Sequence, residues 1–305
     1  MTMSEYAFGI SLTPTQDLSL AHDVTDVAER SGLDLVGVQD HPYVGNFLDA
    51  LALTGHLLTR TTRLRVFPDV ANLPLRPPAV LARTAASLNV ISGGRFELGI
   101  GAGGYWDAIT TMGVPRRSSA EALAALEEAI TIMRGMWSPG QRVRFEGDYY
   151  RVDGVDGSEA GSPPVSVWIG AQGPRSLELT GRVADGWAAP IPSYLPYERW
   201  PGCNEIVDRA AGEAGRDPAS VVRLAQVVGT VEPGGGRTGG AKLTSGADPL
   251  RAGAHHWAAE LTRLATEQPF TGFVLWPEQQ GVEQVRRFAE EVVPLVKANL
   301  GLPSA

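Results

Sequence analysis

The sequence predicts an α/β fold of the (β/α)8 TIM-barrel class, and two observations support this. Short β-rich runs alternate with longer helical patterns from one end of the 305-residue chain to the other. Eight such pairs follow one another without a linker, and right-handed crossovers would make all eight strands parallel and close them into a ring. An open doubly wound sheet is the structural alternative that the same alternation allows. We expect residues 1–305 to form a single barrel domain.

The first four units are marked by helix start and stop signals. Gly32 ends the first helical pattern, Pro78 lies in the first turn of the third, and Ser118 with Glu121 forms a capping box before the fourth. These signals predict strands over residues 7–12, 35–38, 64–67 and 96–100, and helices over 18–30, 49–59, 78–91 and 118–136.

The fourth helix is followed by a break in the alternation. Residues 138–164 read as an insertion, with a hairpin over 142–145 and 149–152 and then a loop rich in Gly, Ser and Pro. A second irregular segment, residues 232–247, is rich in glycine and predicts a lid loop after strand seven. The remaining units are strands over 165–169, 186–188, 221–231 and 273–276, and helices over 175–183, 197–214, 248–267 and 283–299.

The composition limits the kinds of molecule and the compartment that we expect for this protein. The net charge is −8, and no run of Lys and Arg alternates with aromatic residues, so a nucleic-acid partner is not expected. Cys203 is the single cysteine, which excludes an intramolecular disulfide and indicates a reducing compartment. The N-terminal residues do not resemble a secretion signal, and no apolar run is long enough to cross a membrane. These features predict a cytoplasmic protein with no membrane partner.

The stretch GGRFELGIGAGGYWD, residues 93–107, contains the glycine spacing of a dinucleotide-binding fingerprint at Gly99, Gly101 and Gly104. That fingerprint works in the first βα turn of a fold, where a helix begins at once and aims its amides at a pyrophosphate. Here three units precede the glycines, and the next predicted helix cap is Ser118. Two interpretations remain: close approach of the backbone to a ligand, or a simple turn out of the fourth strand.

In a barrel, functional groups lie where the strands end on their carboxyl side. Segments 39–43, 68–72, 101–106 and 170–175 occupy these positions, and Trp187 and Trp276 lie on strands six and eight. Few of these residues are charged, and many are small or aromatic. This mixture favours a planar heteroaromatic ligand and predicts no metal site.

The same segments carry a family resemblance. They include the Asp40-His41 pair, LPLRPPAVLAR at 73–83, ISGGRFELGIGAG at 91–103, EEAITIMRGMW at 127–137, IGAQGP at 169–174 and ADGW at 184–187. As an ordered set they resemble the bacterial luciferase-like oxidoreductases. The resemblance implies a barrel that binds reduced FMN or the 5-deazaflavin coenzyme F-420. The Gly101-Ala102-Gly103 run resembles the deazaflavin branch, because many FMN-binding members have an arginine there.

The resemblance also implies roles for individual residues. His41 corresponds to a histidine that faces the reactive C5 edge of the deazaflavin, and Asp40 and Tyr43 join it as predicted catalytic residues. Asp69 and Val70 correspond to a bulge with a non-proline cis peptide that supports the ring. The predicted cofactor-binding residues are Asp69, Val70, Ala71, Asn72, Ala102, Gly103, Gly104, Gly170, Ala171, Gln172, Gly173 and Arg175.

One position departs from the family pattern. Sugar-phosphate dehydrogenases of this family carry a glutamate where Gly104 stands, so that substrate class is disfavoured here. Tyr43, Asp107 or a water then remain as proton donors. Trp106, Trp187 and Trp276 suggest an apolar substrate cavity, although aromatic residues at strand ends are equally consistent with core packing.

The leading hypothesis is a coenzyme F-420-dependent oxidoreductase that transfers a hydride between the deazaflavin C5 and a small organic substrate. One alternative is a two-component monooxygenase that uses FMNH2 and a separate flavin reductase. The other is a barrel that binds a flavin without turnover. The resemblance also implies a homodimer.

Overall fold

The fold is a closed ring of parallel strands in a computed structural model that describes residues 6–158, 164–234 and 248–303. The strands are β1 (Ala7–Leu12), β2 (Leu35–Val38), β3 (Arg65–Pro68), β4 (Ala71–Asn72), β5 (Leu98–Gly101), β6 (Arg142–Glu146), β7 (Arg151–Asp156), β8 (Val167–Ile169), β9 (Gly186–Ala189), β10 (Val222–Glu232), β11 (Leu250–Gly253) and β12 (Gly272–Pro277).

The order around the sheet is β3-β2-β1-β12-β10-β9-β8-β5-β4, and every pair in this order is parallel. β3 and β4 are two parts of one barrel strand that is interrupted at residues 69 and 70. The ring closes where Val66 of β3 pairs with Phe96, just before β5, and the amide of Val66 donates to the carbonyl of Arg95 at 3.0 Å. The predicted barrel is therefore confirmed, and the open sheet is wrong.

Helices cover the outside of the ring. They are α1 (Leu18–Arg30), α2 (Ala50–Arg60), α3 (Pro78–Ile91), α4 (Trp106–Thr111), α5 (Ser119–Trp137), α6 (Pro174–Val183), α7 (Trp200–Glu213), α8 (Ala254–Glu267), α9 (Val282–Arg287) and α10 (Val293–Asn299). The predicted capping box at Ser118 and Glu121 is present, and Asp17 and Asp49 cap α1 and α2. None of the described helices is long and apolar enough to span a bilayer.

Three local predictions need correction or lie partly outside the described chain. Residues 250–253, predicted as helix, form β11, because the long strand β10 offers backbone groups with which they pair in parallel. The short helix α4 was not predicted. The last helix is divided by a π-helical turn over Phe288–Val292. The antiparallel pair β6–β7 is the hairpin predicted within residues 138–164, whereas 235–247 of the predicted lid lie outside the described residues.

Apolar side chains fill the lower part of the barrel. Phe67 and Trp168 contact each other edge to face with ring centroids 5.1 Å apart, and this interior cluster also contains Ala7, Leu35, Ala188, Leu224 and Val274. A second, larger cluster lies between the strands and the helices. Because these side chains fill the barrel interior, open space is left at the carboxyl ends of the strands.

Candidate active site

A cavity of about 490 Å³ opens at the carboxyl end of the barrel. This volume lies in the range of small-molecule sites in proteins. Its walls come from the ends of β2, β3, β4, β5, β8, β9, β10 and β12 and from the segments that follow them. All the predicted catalytic and cofactor-binding residues line it except Ala171, which is buried in the core.

The floor of the cavity contains the interruption between β3 and β4. The peptide bond between Asp69 and Val70 is cis, as the family resemblance implied. Val70 lies against two strand-end glycines, since a Cβ built on Gly101 or on Gly170 would be 3.0 Å from Val70 Cγ2. Glycine at these two positions therefore leaves room for the Val70 side chain, which is part of the cavity wall.

His41 and Tyr43 form a hydrogen-bonded pair in the wall. His41 Nδ1 is 2.8 Å from the Tyr43 hydroxyl, so Nε2 is the ring nitrogen left for a ligand. Burial lowers the pKa of His41 below its usual value, although the charge of Asp40 opposes this shift. Burial also raises the pKa of Tyr43, to about 12. At neutral pH both groups are therefore uncharged.

Asp40 is held in a buried ion pair. Its two oxygens accept hydrogen bonds from Arg76, at 2.8 Å to Oδ1 and 3.0 Å to Oδ2, and Oδ2 also accepts from the amide of Asn72 at 2.8 Å. Arg76 contacts Asp49 as well, at 2.9 Å. This pairing favours a positioning role for Asp40 over the direct catalytic role that the resemblance implied. Asp40 connects the loop that carries His41 to the segment after β4.

The chain also matches the sequence model of a known protein family. The sequence model of the luciferase-like monooxygenases matches residues 2–232. The chain belongs to this family. The resemblance inferred from the ordered motifs is thus confirmed.

Curated relatives of this luciferase-like chain have named activities. It is 32% identical over 197 residues to an F-420-dependent glucose-6-phosphate dehydrogenase of Nakamurella multipartita, covering 62% of this chain and 58% of that protein. It is 34% identical over 218 residues to a 5,10-methylenetetrahydromethanopterin reductase of Methanolobus tindarius, covering 70% and 62% respectively. The matches thus span less than two thirds of these relatives' own length.

Solved structures share the fold over nearly the whole chain. The coenzyme F-420-dependent tetrahydromethanopterin reductase from Methanopyrus kandleri superposes with a TM-score of 0.80 at 18% identity, covering 95% of this chain and 99% of that one. An F-420-dependent secondary alcohol dehydrogenase, in complex with an F-420–acetone adduct, gives 0.77 at 22% identity, covering 96% and 99%. At these identities the comparison establishes the barrel fold alone.

The three tryptophans predicted for a substrate cavity have different positions in this luciferase-like barrel. Trp276 lines the cavity. Trp187 does not: it is fully buried, stacks on Phe270 and donates from Nε1 to the carbonyl of Ala171 at 2.9 Å. Trp106 begins α4 and is not among the residues that line the cavity. The cavity prediction is therefore wrong for both residues: Trp187 packs in the core, whereas the half-buried Trp106 belongs to a helix and not to a strand end.

Two tyrosines of the wall were not predicted. The hydroxyl groups of Tyr105 and Tyr194 contact each other, and both residues line the cavity. Tyr105 is edge-on to His41, with ring centroids 5.8 Å apart, and 6.3 Å from the Tyr43 ring. The position of Tyr105 directly after Gly104 was a usable signal, whereas Tyr194 lies in a segment with no motif.

The glycines after β5 have different local requirements. Gly103 has φ +98°, and a Cβ there would be 2.8 Å from Pro74 Cγ, so only glycine fits without strain. A Cβ at Gly104 would meet no atom within 4 Å. The absence of a side chain at Gly104 is therefore not required by packing.

Proposed function

We propose that this protein is an oxidoreductase that uses coenzyme F-420 and transfers a hydride between C5 of the deazaflavin and a small organic substrate. The observation that carries the proposal is the meeting of His41 and the Asp69–Val70 bulge in one cavity of ligand size. The names of the curated relatives support the choice of F-420 over FMN.

The polar groups of the cavity fit a flavin-like ring. Asn72 Oδ1 and Trp276 Nε1 are buried and have no hydrogen-bond partner among the described residues, although both side chains line the cavity. Buried polar atoms normally have partners, so an acceptor and a donor left open here suit a ligand that carries both N–H and carbonyl groups. A deazaflavin ring has such groups along its pyrimidine edge.

Different residues would hold different parts of the coenzyme. Val70 and Asn72 would contact the ring, and the backbone of residues 102–104 and 170–173 would approach its edge. Arg175 lies near the start of α6 and lines the cavity, where its charge suits the coenzyme phosphate. When bound, coenzyme F-420 supplies the site at which a hydride is accepted or released.

The residues of the chain orient the partners and move the proton. The tautomer of His41 that donates from Nδ1 to Tyr43 leaves a lone pair at Nε2, which takes a proton from a substrate hydroxyl. The tautomer that accepts from Tyr43 presents Nε2–H, which donates toward a substrate carbonyl oxygen. Because the Tyr43 hydroxyl can either accept or donate, it supports both tautomers and thus both roles of Nε2. Tyr105 and Tyr194 line the wall beside this pair.

The lining favours a small, uncharged substrate over a sugar phosphate. Arg175 is the one cationic side chain among the described residues of the cavity wall, and we assign it to the coenzyme. Gly104 provides no acid where sugar-phosphate dehydrogenases carry one. The rest of the wall combines the carboxyl groups of Asp40 and Asp69 and several uncharged polar groups with aromatic and aliphatic side chains, among them Tyr105, Tyr194 and Ile191. We therefore propose a neutral alcohol or carbonyl compound as the substrate class.

Titration of the purified protein with coenzyme F-420 and with FMN, followed by fluorescence, tests the proposal. We expect saturable binding of F-420 and at least tenfold weaker binding of FMN. Micromolar binding of FMN with none of F-420 would contradict it and favour the two-component monooxygenase. Binding of F-420 with no hydride exchange for any alcohol or carbonyl compound would favour a barrel that binds without turnover.

A further inference from the structure

The Asp69 side chain lies inside the barrel mouth. A Cβ built on Gly37 of β2 would be 2.9 Å from Asp69 Oδ2, so the carboxyl occupies the space that a larger residue at position 37 would fill. Asp69 Oδ1 accepts a hydrogen bond from Gln226 Nε2 at 3.0 Å. Gln226 belongs to β10, which is separated from β3 by β2, β1 and β12 in the ring. The contact therefore crosses the barrel interior.

Both side chains are buried and incompletely paired. Asp69 is 7% exposed and Gln226 is 4% exposed. Asp69 Oδ2 and Gln226 Oε1 have no hydrogen-bond partner among the described residues, and both residues line the cavity floor. Asp69 has no ion-pair partner in the described part of the chain. The ionisable groups that share the cavity are Asp40, His41, Tyr43, Tyr105, Arg175 and Tyr194.

We propose that Asp69, positioned by Gln226, is the group that takes up a proton when the coenzyme ring gains negative charge on reduction. This inference rests on the proposed use of coenzyme F-420. A ring bound in this cavity would lie against the floor that Asp69, Val70 and Gln226 share, so negative charge on the ring and on the carboxyl would repel each other at short range. Burial raises the pKa of Asp69 to about 7, so the carboxyl is poised to exchange its proton near neutrality.

The charges balance in the direction of substrate oxidation. The substrate C–H bond breaks with its electron pair, and the new C–H bond forms at C5, so the ring gains one hydride and one negative charge. The substrate hydroxyl proton goes to His41 Nε2. Asp69 then takes one proton from solvent, which offsets the added charge. Reduction is therefore linked to protonation of Asp69, and the reduced coenzyme binds more tightly when Asp69 is neutral.

The ratio of dissociation constants for oxidised and reduced F-420, measured by fluorescence between pH 6 and pH 8.5, tests the proposal without turnover. In the wild-type protein we expect the relative affinity for the reduced form to fall roughly tenfold per pH unit above about 7. The free coenzyme has a pH dependence of its own. Asp69→Asn should remove the additional dependence that the protein contributes. Asp153→Asn, which neutralises an exposed carboxylate on the hairpin, should leave it unchanged.

Gln226→Leu is a second variant, and we expect it to shift the midpoint of the pH dependence without removing the dependence. Donation from Gln226 stabilises the ionised carboxylate, so its loss should move the midpoint upward by about one pH unit. Calorimetry of wild-type protein in two buffers of different ionisation enthalpy should show more proton uptake with the reduced coenzyme than with the oxidised one. Equal pH dependence in wild type and Asp69→Asn, or equal proton uptake with both redox forms, would overturn the inference while leaving the proposed function intact. No binding of F-420 at any pH would refute both.

Discussion

At the scale of single residues, His41 carries most of the proposed chemistry. Its Nδ1 is engaged by Tyr43 at 2.8 Å, which leaves Nε2 as the ring nitrogen available to a ligand in the cavity. Asp40 precedes it in the sequence and is fixed by Arg76. The backbone at residue 40 is thereby anchored, which restricts the positions that the imidazole can take.

Replacing His41 with Ala should therefore slow turnover far more than it weakens coenzyme binding. Loss of a positioned general acid or base reduces the rate roughly 10²–10⁴-fold, whereas we expect the dissociation constant of F-420 to change less than about tenfold. Because burial lowers the pKa of His41, the acid limb of kcat/KM in the wild type should have its midpoint below the usual histidine value of about 6.5. An unchanged rate in the variant would remove His41 from the mechanism.

Asp40 gives a stability prediction at the same scale. Its carboxylate is 1% exposed and pairs with Arg76, so Asp40→Asn leaves a buried guanidinium without its main counter-charge. Breaking a buried pair by removing one partner costs about 3–5 kcal/mol of unfolding free energy. Asp153→Asn breaks a pair whose side chains are 69% and 65% exposed, and should cost less than about 1 kcal/mol. Urea unfolding measures both, and equal losses would contradict the assignment.

At the scale of elements, the segment between β5 and α4 combines a fixed turn with an open position. Gly103 has a positive φ, and a Cβ added there would collide with Pro74, whereas a Cβ added at Gly104 would meet no atom within 4 Å. Of the three glycines in the fingerprint-like spacing, Gly99 and Gly101 have a local packing explanation, whereas Gly104 has none. A Cβ added at Gly99 would collide with the Pro68 carbonyl oxygen, and one added at Gly101 would lie 3.0 Å from Val70 Cγ2. The sequence did not separate these cases, because all three residues are glycine.

Gly103→Ala and Gly104→Ala form a matched pair of variants for this segment. We expect Gly103→Ala to destabilise the protein by about 1–3 kcal/mol, since a Cβ is disfavoured at positive φ and would also collide with Pro74. Gly104→Ala should change stability by less than about 0.5 kcal/mol. Thermal and urea unfolding measure the difference. Equal destabilisation by the two substitutions would mean that the turn is not formed as described.

At the scale of the whole molecule, the sequence was sufficient for the barrel and for most of the cavity wall. Strand and helix periodicity located the units, and parallel closure then brought distant strand ends together. Three features could not be predicted without the three-dimensional structure. They are the burial of Trp187, the pairing of Asp40 with Arg76, and the contact between Asp69 and Gln226 across the ring. Each depends on side chains that are far apart in sequence, which local patterns do not report.

Because the cavity is built from the ends of most barrel strands, a ligand bound there should stabilise the barrel as a whole. A ligand that binds only the folded state contributes about 2.7 kcal/mol at a hundredfold excess over its dissociation constant. For a chain of this length that corresponds to a rise of about 4 °C in Tm. We expect this rise with coenzyme F-420 and a smaller one with FMN at the same concentration, measured by thermal unfolding. His41→Ala should retain the F-420 shift, since its proposed role is in proton transfer. A larger shift with FMN than with F-420 would instead support the FMN-dependent monooxygenase, because stabilisation follows affinity and not catalysis.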